Sequence, residues 1–234
     1  MAKWLVVGLS GVTNGGKTTM ANKLLNELPK GTRIIKQDDY FYPDDDPHHI
    51  PCPGGIQHNN YDVISSMDMN KMIQDVKAVI HSSPTSSALT DTLTLGRESE
   101  LSDTCKKCPM PLPILLLDGF LLYADPQLLE MCDLRYFFTL TRDECWERRQ
   151  HRIYNPEDPP GYFEKCVWPT YEEHLKYVRE NVSNVIYLEG YGNHFPGVWN
   201  QVLSAAGLSD AMNEKKGNFQ SRGYCVCDHS EKKV

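Results

Sequence analysis

The chain has 234 residues, of which 40% are hydrophobic and 24% are charged, and its formal net charge is −7. This length predicts one α/β domain of about 200 residues with a substantial core. The acidic balance argues against a general nucleic-acid or membrane-surface binder, and no apolar run is long enough to span a bilayer. The amino terminus also lacks the pattern of a signal peptide. We therefore expect a cytoplasmic monomer or weak dimer, with a nuclear pool left open.

The cysteine pattern also indicates an intracellular protein. Eight cysteines are scattered along the chain, which is typical of reduced thiols in an intracellular protein. Cys105 and Cys108 have zinc-knuckle spacing, and Cys225 with Cys227 could complete a set of four ligands. The second pair is separated by only one residue, and both pairs lie in polar sequence. We therefore interpret these cysteines as surface thiols.

A glycine-rich loop follows the first predicted strand, residues 4–8. It fits the spacing G-x-x-x-x-G-K-[ST], from Gly11 to Thr18. Glycines allow backbone N–H groups to converge on a phosphate, Lys17 adds a positive charge, and the Thr18 hydroxyl can bind Mg²⁺. A helix predicted over residues 17–28 points its positive dipole end at the same anion. The predicted nucleotide-binding residues of this loop are Gly11, Val12, Thr13, Asn14, Gly15, Gly16, Lys17, Thr18 and Thr19.

Carboxylates follow two further predicted strands. Asp38 comes after residues 32–35, and Asp118 directly follows the apolar residues 114–117. Ligands bind beyond the carboxyl ends of strands in open parallel sheets, so Asp38 is placed to accept a hydroxyl proton or to hold Mg²⁺ through water. Asp118 has the Walker B arrangement, which keeps a carboxylate near Mg²⁺. The alternative for both residues is a turn. The predicted metal-binding residues are Thr18, Asp38 and Asp118.

Residues 43–60 contain prolines, glycines and three histidines, and predict an irregular loop. His48, His49 and His58 suggest a metal site, but no predicted element orders them. We therefore interpret them as parts of a solvated loop. Asp68 is the predicted N-cap of the helix that follows.

Two segments differ in composition from the rest of the chain. Residues 82–113 are rich in Ser, Thr and Pro and predict a flexible insertion between a helix and a strand. Residues 209–234 are dominated by polar residues and predict a disordered tail. The remaining predicted elements are a short helix at 127–132, a helix over 164–182, strands at 135–138 and 185–188 and a final helix at 198–206.

A group of arginines stands out in this acidic chain. Thr141 and Glu144 have the spacing of a capping box, which predicts the start of a helix. Phosphoryl transfer spreads negative charge over three oxygens, and guanidinium groups on a lid stabilise that charge. The alternative is a solvated charged face. We predict that residues 142–163 form the lid and the loop after it. The arginines concerned are Arg142, Arg148, Arg149 and Arg152.

The chain resembles the nicotinamide riboside kinases, which belong with uridine and pantothenate kinases among the small-metabolite P-loop kinases. The resemblance covers roughly residues 4–190 and includes motifs outside the phosphate loop. It implies a P-loop α/β domain over residues 1–208, with a parallel five-stranded sheet flanked by helices and an arginine-bearing lid. The motifs that carry it are the phosphate loop, Gln37-Asp-Asp-Tyr-Phe41, Tyr61-Asp62-Val, Leu117-Asp-Gly-Phe-Leu-Leu122, Arg152-Ile-Tyr154, Pro160-Gly-Tyr-Phe163 and Val167-Trp-Pro169.

The resemblance also implies an activity. The γ-phosphoryl group of ATP or GTP would pass, with Mg²⁺, to the ribose 5′-hydroxyl of nicotinamide riboside, giving the mononucleotide on a salvage route to NAD. Nicotinic acid riboside is also accepted in such enzymes. Two alternatives stay open: a uridine or cytidine kinase, and a non-catalytic P-loop binding or scaffold protein. The presence of Lys17, Thr18, Asp38 and the arginine-bearing lid argues against the second alternative.

Roles for individual residues come from the same resemblance. The implied catalytic residues are Asp38, Lys17 and Arg149. The implied substrate-binding residues are Asp38, Phe41, Tyr61, Asp62, Arg149, Tyr154 and Asp158. Arg148 and Arg152 join the phosphate loop as implied nucleotide-binding residues. Phe41 and Tyr154 would sandwich a pyridinium ring, an arrangement suited to a cationic aromatic ligand. Asp118 stands where the family has a glutamate, which is one methylene longer.

Overall fold

The computed structural model describes residues 3–82, 111–190 and 192–208. Most of the predicted insertion and the whole predicted tail lie outside these residues. The cysteine pairs considered as zinc ligands also lie outside them. The predicted domain boundaries therefore remain predictions.

Five parallel strands form one sheet in the order β2-β3-β1-β4-β5. The sheet confirms the predicted parallel five-stranded architecture. The central strand is buried along its whole length, which explains its continuous apolar sequence. The strands are β1 (Leu5–Gly11), β2 (Arg33–Lys36), β3 (Ile114–Asp118), β4 (Leu134–Thr139) and β5 (Val185–Glu189).

Helices cover both faces of the sheet. Two of them begin as the sequence predicts: the Asp68 side chain accepts a hydrogen bond from the Lys71 N–H, and Thr141 with Glu144 forms a complete capping box. The turn before the fifth helix is a π-helix, Phe163–Val167, which the sequence pattern does not predict. The helices are α1 (Lys17–Glu27), α2 (Met69–His81), α3 (Pro126–Met131), α4 (Arg142–Arg149), α5 (Trp168–Asn181) and α6 (Phe195–Ala206).

Alternating strand residues supply two hydrophobic cores. Val6, Leu115 and Leu117 belong to the core that includes residues of α2 and α5. Val7 and Leu116, one residue along each strand, belong to the core with α1 and α6. Burial of each of these leucine side chains stabilises the fold by about 2 kcal/mol. The helices on both faces therefore stabilise the sheet. No helix in the described ranges is long and apolar enough to cross a bilayer.

The carboxyl ends of the parallel strands meet at one edge of the sheet, which carries the candidate site. Gln37 follows β2, and its Oε1 accepts a hydrogen bond of 2.9 Å from the Leu121 N–H beyond β3. Gly119 allows this contact, because a Cβ there would lie 2.5 Å from Gln37. The loops after β2 and β3 are therefore fixed to each other.

The opposite, amino edge of the sheet holds both ends of the segment between α2 and β3. The Trp4 Nε1 donates to the Ser82 carbonyl oxygen, at 3.2 Å, just after α2. The Leu5 N–H donates to the Pro113 carbonyl oxygen, at 2.8 Å, just before β3. The chain therefore leaves and rejoins the described domain away from the carboxyl edge.

Candidate active site

The glycine-rich loop begins inside the sheet. Strand β1 runs to Gly11, three residues beyond its predicted end, because Gly11 still pairs with Phe138 of β4. Its φ is +115°, and a Cβ would lie 2.2 Å from the Phe138 carbonyl oxygen, so only glycine fits. Gly16 has φ +93° and precedes the first residue of α1, Lys17. The loop therefore delivers the amino end of α1 to the carboxyl edge.

The Lys17 side chain lies inside the loop. Its ammonium group donates hydrogen bonds to the carbonyl oxygens of Gly11, at 2.9 Å, and Val12, at 2.7 Å. Burial lowers the pKa of Lys17 to about 8, and the nearby carboxylates of Asp118 and Asp38 oppose this shift. The lysine is therefore held by backbone groups next to the position where a phosphate would bind.

A cavity of about 220 Å³ opens in front of the loop, and we call it the phosphate cavity. The lining does not include three predicted nucleotide-binding residues, Gly11, Val12 and Gly15. These residues belong to the loop but do not face the cavity. Arg148 also stays outside, where its Nη1 donates to the Asn14 carbonyl oxygen at 2.9 Å. The lining residues are Thr13, Asn14, Gly16, Lys17, Thr18, Thr19, Asp38, Asp118, Gly119, Phe120 and Arg152.

The three predicted metal-binding residues, Thr18, Asp38 and Asp118, all line the phosphate cavity. Burial raises the pKa of Asp118, while a hydrogen bond with Thr18 and the charge of Lys17 act in the opposite direction. In the described ranges, no cluster of three His, Cys, Asp or Glu residues could hold a metal. Mg²⁺ commonly uses one or two carboxylates together with substrate phosphates and water. This set of oxygen donors fits such a site.

A second cavity of about 360 Å³ lies beside the first, and we call it the acceptor cavity. Every predicted substrate-binding residue lines it, although these residues are spread from position 38 to position 158. The lining residues are Thr13, Asp38, Phe41, Tyr42, Asp44, Tyr61, Asp62, Phe120, Arg149, Arg152, Tyr154, Asn155, Pro156, Asp158 and Tyr162.

The two cavities share four lining residues, which mark the passage between them: Thr13, Asp38, Phe120 and Arg152. Among these four residues, Asp38 carries a carboxylate and Arg152 carries a positive charge. A group in the acceptor cavity can therefore meet a phosphate in the phosphate cavity beside both charges.

Arg149 lies in a buried ionic cluster. Its Nε donates to Asp158 Oδ2 at 2.7 Å, its Nη1 to Thr13 Oγ1 at 3.3 Å, and its side chain is only 5% exposed. Asp62 lies 3.9 Å from Nη2. Burial alone would lower the pKa of Arg149, but Asp62 and Asp158 raise it above its ordinary value. Arg149, predicted as part of a lid, thus joins the phosphate loop to the acceptor cavity.

Tyr162 connects two walls of the acceptor cavity. Its hydroxyl donates to Asp62 Oδ2 at 2.9 Å and accepts from the Tyr61 N–H at 2.9 Å. Burial raises the pKa of Asp62, while Arg149 and the Tyr162 hydroxyl oppose that shift. No role is predicted for Tyr162 from the sequence. Only its position in the motif that ends at Phe163 could have drawn attention to it.

The two aromatic residues predicted to sandwich a ligand line the same cavity. Phe41 packs against Phe120, with ring centroids 6.2 Å apart and planes at 20°. The guanidinium carbons of Arg149 and Arg152 lie 4.2 Å and 5.0 Å from the ring centroid of Tyr154. The Tyr154 ring therefore already contacts positive charge, the environment in which cation–π attraction operates.

The histidines of residues 43–60 are more ordered than predicted. The rings of His49 and His58 contact the Tyr61 ring, with centroids at 4.9 Å and 5.4 Å. His58 also contacts Tyr162, at 5.1 Å, whereas His48 is exposed and pairs with Asp46. The prediction of a solvated loop is therefore wrong for His49 and His58. These two rings support the acceptor cavity from outside.

The phosphate loop after the central strand, together with two cavities that meet at a carboxylate, defines a P-loop kinase of small molecules. No protein-family model matches the chain. It is 38% identical over 199 residues to nicotinamide riboside kinase 2 of Mus musculus, covering 85% of this chain and 93% of that protein. It is 40% identical over 186 residues to nicotinamide riboside kinase 2 of Homo sapiens, covering 80% and 74% respectively. The chain belongs to the nicotinamide riboside kinase family.

A uridine kinase of Oceanobacillus iheyensis is a more distant relative. It is 20% identical over 196 residues, covering 82% of this chain and 90% of that protein. The difference in identity favours the nicotinamide riboside kinases over the uridine kinases as the family of this chain.

Proposed function

We propose that this kinase transfers the γ-phosphoryl group of ATP or GTP to the ribose 5′-hydroxyl of nicotinamide riboside and forms nicotinamide mononucleotide. The observation that carries this proposal is the passage between the two cavities, which is lined by Asp38 and Arg152. The family to which the chain belongs supports the choice of nucleoside. Nicotinic acid riboside is a second proposed acceptor.

In the proposed reaction, the acceptor hydroxyl lies beside Asp38. The carboxylate accepts the hydroxyl proton while the 5′-oxygen bonds to the γ-phosphorus, and the bond to the bridging oxygen of the leaving nucleoside diphosphate breaks. Arg152 lies at the same passage and can stabilise the negative charge on the transferred group. Arg149 is held by Asp158, so we assign it to positioning the acceptor rather than to free movement with a lid.

Lys17 supplies the positive charge on the nucleotide side. Its ammonium group would exchange the carbonyl oxygens of Gly11 and Val12 for phosphate oxygens when a nucleotide binds. Thr18, Asp38 and Asp118 would hold Mg²⁺. That ion, when bound, neutralises phosphate charge during transfer.

We also propose a cytoplasmic enzyme that works as a monomer or weak dimer on free nucleoside and nucleotide. In the part of the chain that the structure describes, the cysteines Cys52, Cys132, Cys145 and Cys166 are free and buried. Free thiols of this kind fit a reducing compartment.

A phosphorylation assay with nicotinamide riboside, uridine and cytidine tests the proposal. We expect kcat/KM to be highest for nicotinamide riboside, because its ring carries a positive charge that Tyr154 can contact. Tyr154→Ala should raise KM for this substrate about tenfold, with a smaller change in kcat, since stacking stabilises ground and transition states alike. Ile153→Ala is the matched control, because the neighbouring Ile153 is 96% exposed. Equal efficiency with uridine would leave the kinase activity but overturn the nucleoside assignment.

A further inference from the structure

Asp44 lies in the acceptor cavity but has no part in the proposed reaction. It stands in the loop after Phe41 and Tyr42, and its side chain lines the cavity together with both of these aromatic residues. The Tyr61 hydroxyl donates a hydrogen bond of 2.9 Å to Asp44 Oδ1. Asp44 therefore belongs to the aromatic part of the cavity.

The position of Asp44 is fixed from two sides. Its carbonyl oxygen accepts a hydrogen bond of 2.8 Å from the Asn59 side chain. Its carboxylate is held by Tyr61, whose ring contacts His49, His58 and Phe41. A side chain held in this way does not have to be ordered when a ligand binds, so more of its interaction energy can appear as affinity.

The Asp44 carboxylate has different surroundings from Asp62 and Asp158, two other carboxylates that line the cavity. Asp62 and Asp158 both lie near the buried cation Arg149. Among the described residues, the hydrogen-bond partner of the Asp44 carboxylate is the neutral Tyr61 phenol. The negative charge of Asp44 is therefore available to a ligand beside the aromatic rings.

We propose that Asp44 is a specificity-determining residue that favours a nucleoside whose aromatic base carries a net positive charge. This inference rests on the proposed function, because nicotinamide riboside has a cationic pyridinium ring. Nicotinic acid riboside has the same ring and ribose, but its ring also bears a carboxylate, which Asp44 repels. Asp44 therefore separates two substrates that the stacking aromatic residues alone would treat alike.

The test compares kcat/KM for these two nucleosides in wild-type, Asp44→Asn and Asp45→Asn enzymes. We expect the ratio of kcat/KM for nicotinamide riboside to kcat/KM for nicotinic acid riboside to fall about fivefold in Asp44→Asn. This is the size expected of a solvent-exposed charge pair. Asp45 is the matched control, because it is an exposed carboxylate in the same loop and does not line the cavity. The difference between wild type and Asp44→Asn should shrink as salt is raised.

A double-mutant cycle with Tyr61→Phe adds a second readout. Without the Tyr61 hydroxyl, Asp44 is held less firmly, so Asp44→Asn should change the substrate ratio less in that background. An unchanged ratio in Asp44→Asn, or an equal fall in Asp45→Asn, would overturn the inference and leave the proposed function intact. A wild-type enzyme that phosphorylates neither nucleoside would overturn both.

Discussion

The phosphate cavity and the acceptor cavity are built in different ways. The loop at the base of the first is held by local bonds: Lys17 reaches the Gly11 carbonyl oxygen, six residues away in the sequence. The second also depends on bonds between distant segments: Tyr162 and Asp62 are separated by 100 residues. The phosphate-binding backbone is therefore contiguous in the sequence, whereas the acceptor cavity requires side chains from several segments of the folded domain.

The two cavities also have different functions in the proposed reaction: one binds the phosphates, and the other recognises the nucleoside. The phosphate loop presents backbone groups and a lysine, which suit any nucleoside triphosphate. The acceptor cavity presents a set of side chains, including the Arg149–Asp158 pair and the Tyr61–Asp44 hydrogen bond. Substitutions in the first region should therefore change turnover, and those in the second should change the recognition of the nucleoside.

Removal of the Lys17 or Asp38 side chain should have the largest effect of the predicted changes, and this effect should be on kcat. We expect Lys17→Ala and Asp38→Ala each to reduce kcat by about 10²-fold or more, because one removes a charge that stabilises the phosphates and the other removes the general base. Circular dichroism should show a folded protein in both cases. Lys23→Ala, on the exposed face of α1, is the control and should keep wild-type turnover. Near wild-type kcat in either active-site variant would show that the role assigned to that residue is wrong.

His174 lines a small cavity that shares Thr13 and Phe120 with both larger cavities, and it should make stability depend on pH. It is 6% exposed, and a small cavity that it lines also contacts Gly11 and Asp62. Burial lowers the pKa of His174 to about 4 from 6.5, opposed by a hydrogen bond with the Phe120 backbone. Its stabilising contribution is therefore complete above pH 6.5 and is lost as pH falls toward 4.

We expect this one group to lower the free energy of unfolding by about 2 kcal/mol at pH 5 relative to neutral pH. Denaturant titrations of wild-type and His174→Gln enzymes across this range measure the contribution. The variant should lose that part of the pH dependence, whereas the exposed control His81→Gln should keep it. The same slope in wild type and His174→Gln would contradict the prediction.

Loss of the Tyr162 hydroxyl should have a smaller effect, confined to the acceptor cavity. Tyr162→Phe removes the hydrogen bonds to Asp62 and to the Tyr61 N–H, so we expect KM for the nucleoside to rise about tenfold. KM for the nucleoside triphosphate should stay within about twofold of wild type, because no residue of the phosphate cavity loses a partner. Steady-state kinetics with each substrate varied in turn separate the two constants, and Tyr177→Phe on α5 is the control. An equal rise in both KM values would show that the two cavities are not independent.

The smallest effect is expected from the segment between α2 and β3. Replacement of residues 83–110 with a short Gly/Ser linker should leave kcat and the melting temperature nearly unchanged, because the composition of the segment predicts no core or site residues. A large loss of either property would show that the segment packs as part of the domain.

The sequence predicted the sheet, the phosphate loop and both helix caps because their signals are local. Thr141 and Glu144, for example, stand three residues apart and bond to each other. It could not predict the roles of Tyr162, His49 and His58, whose partners are brought close by folding. It placed Arg149 in a lid and at the substrate but could not predict its partners, because a row of arginines carries no information about which carboxylates will surround one of them.

The attachment of Ser82 and Pro113 at the amino edge has a practical consequence. A reporter protein inserted between these two residues would be joined to the domain on the side opposite both cavities. Such a fusion would leave the entrances for nucleoside and nucleotide at the other end of the sheet. The enzyme could therefore be fixed to a surface, or coupled to a fluorescent partner, while its substrates still reach the carboxyl edge.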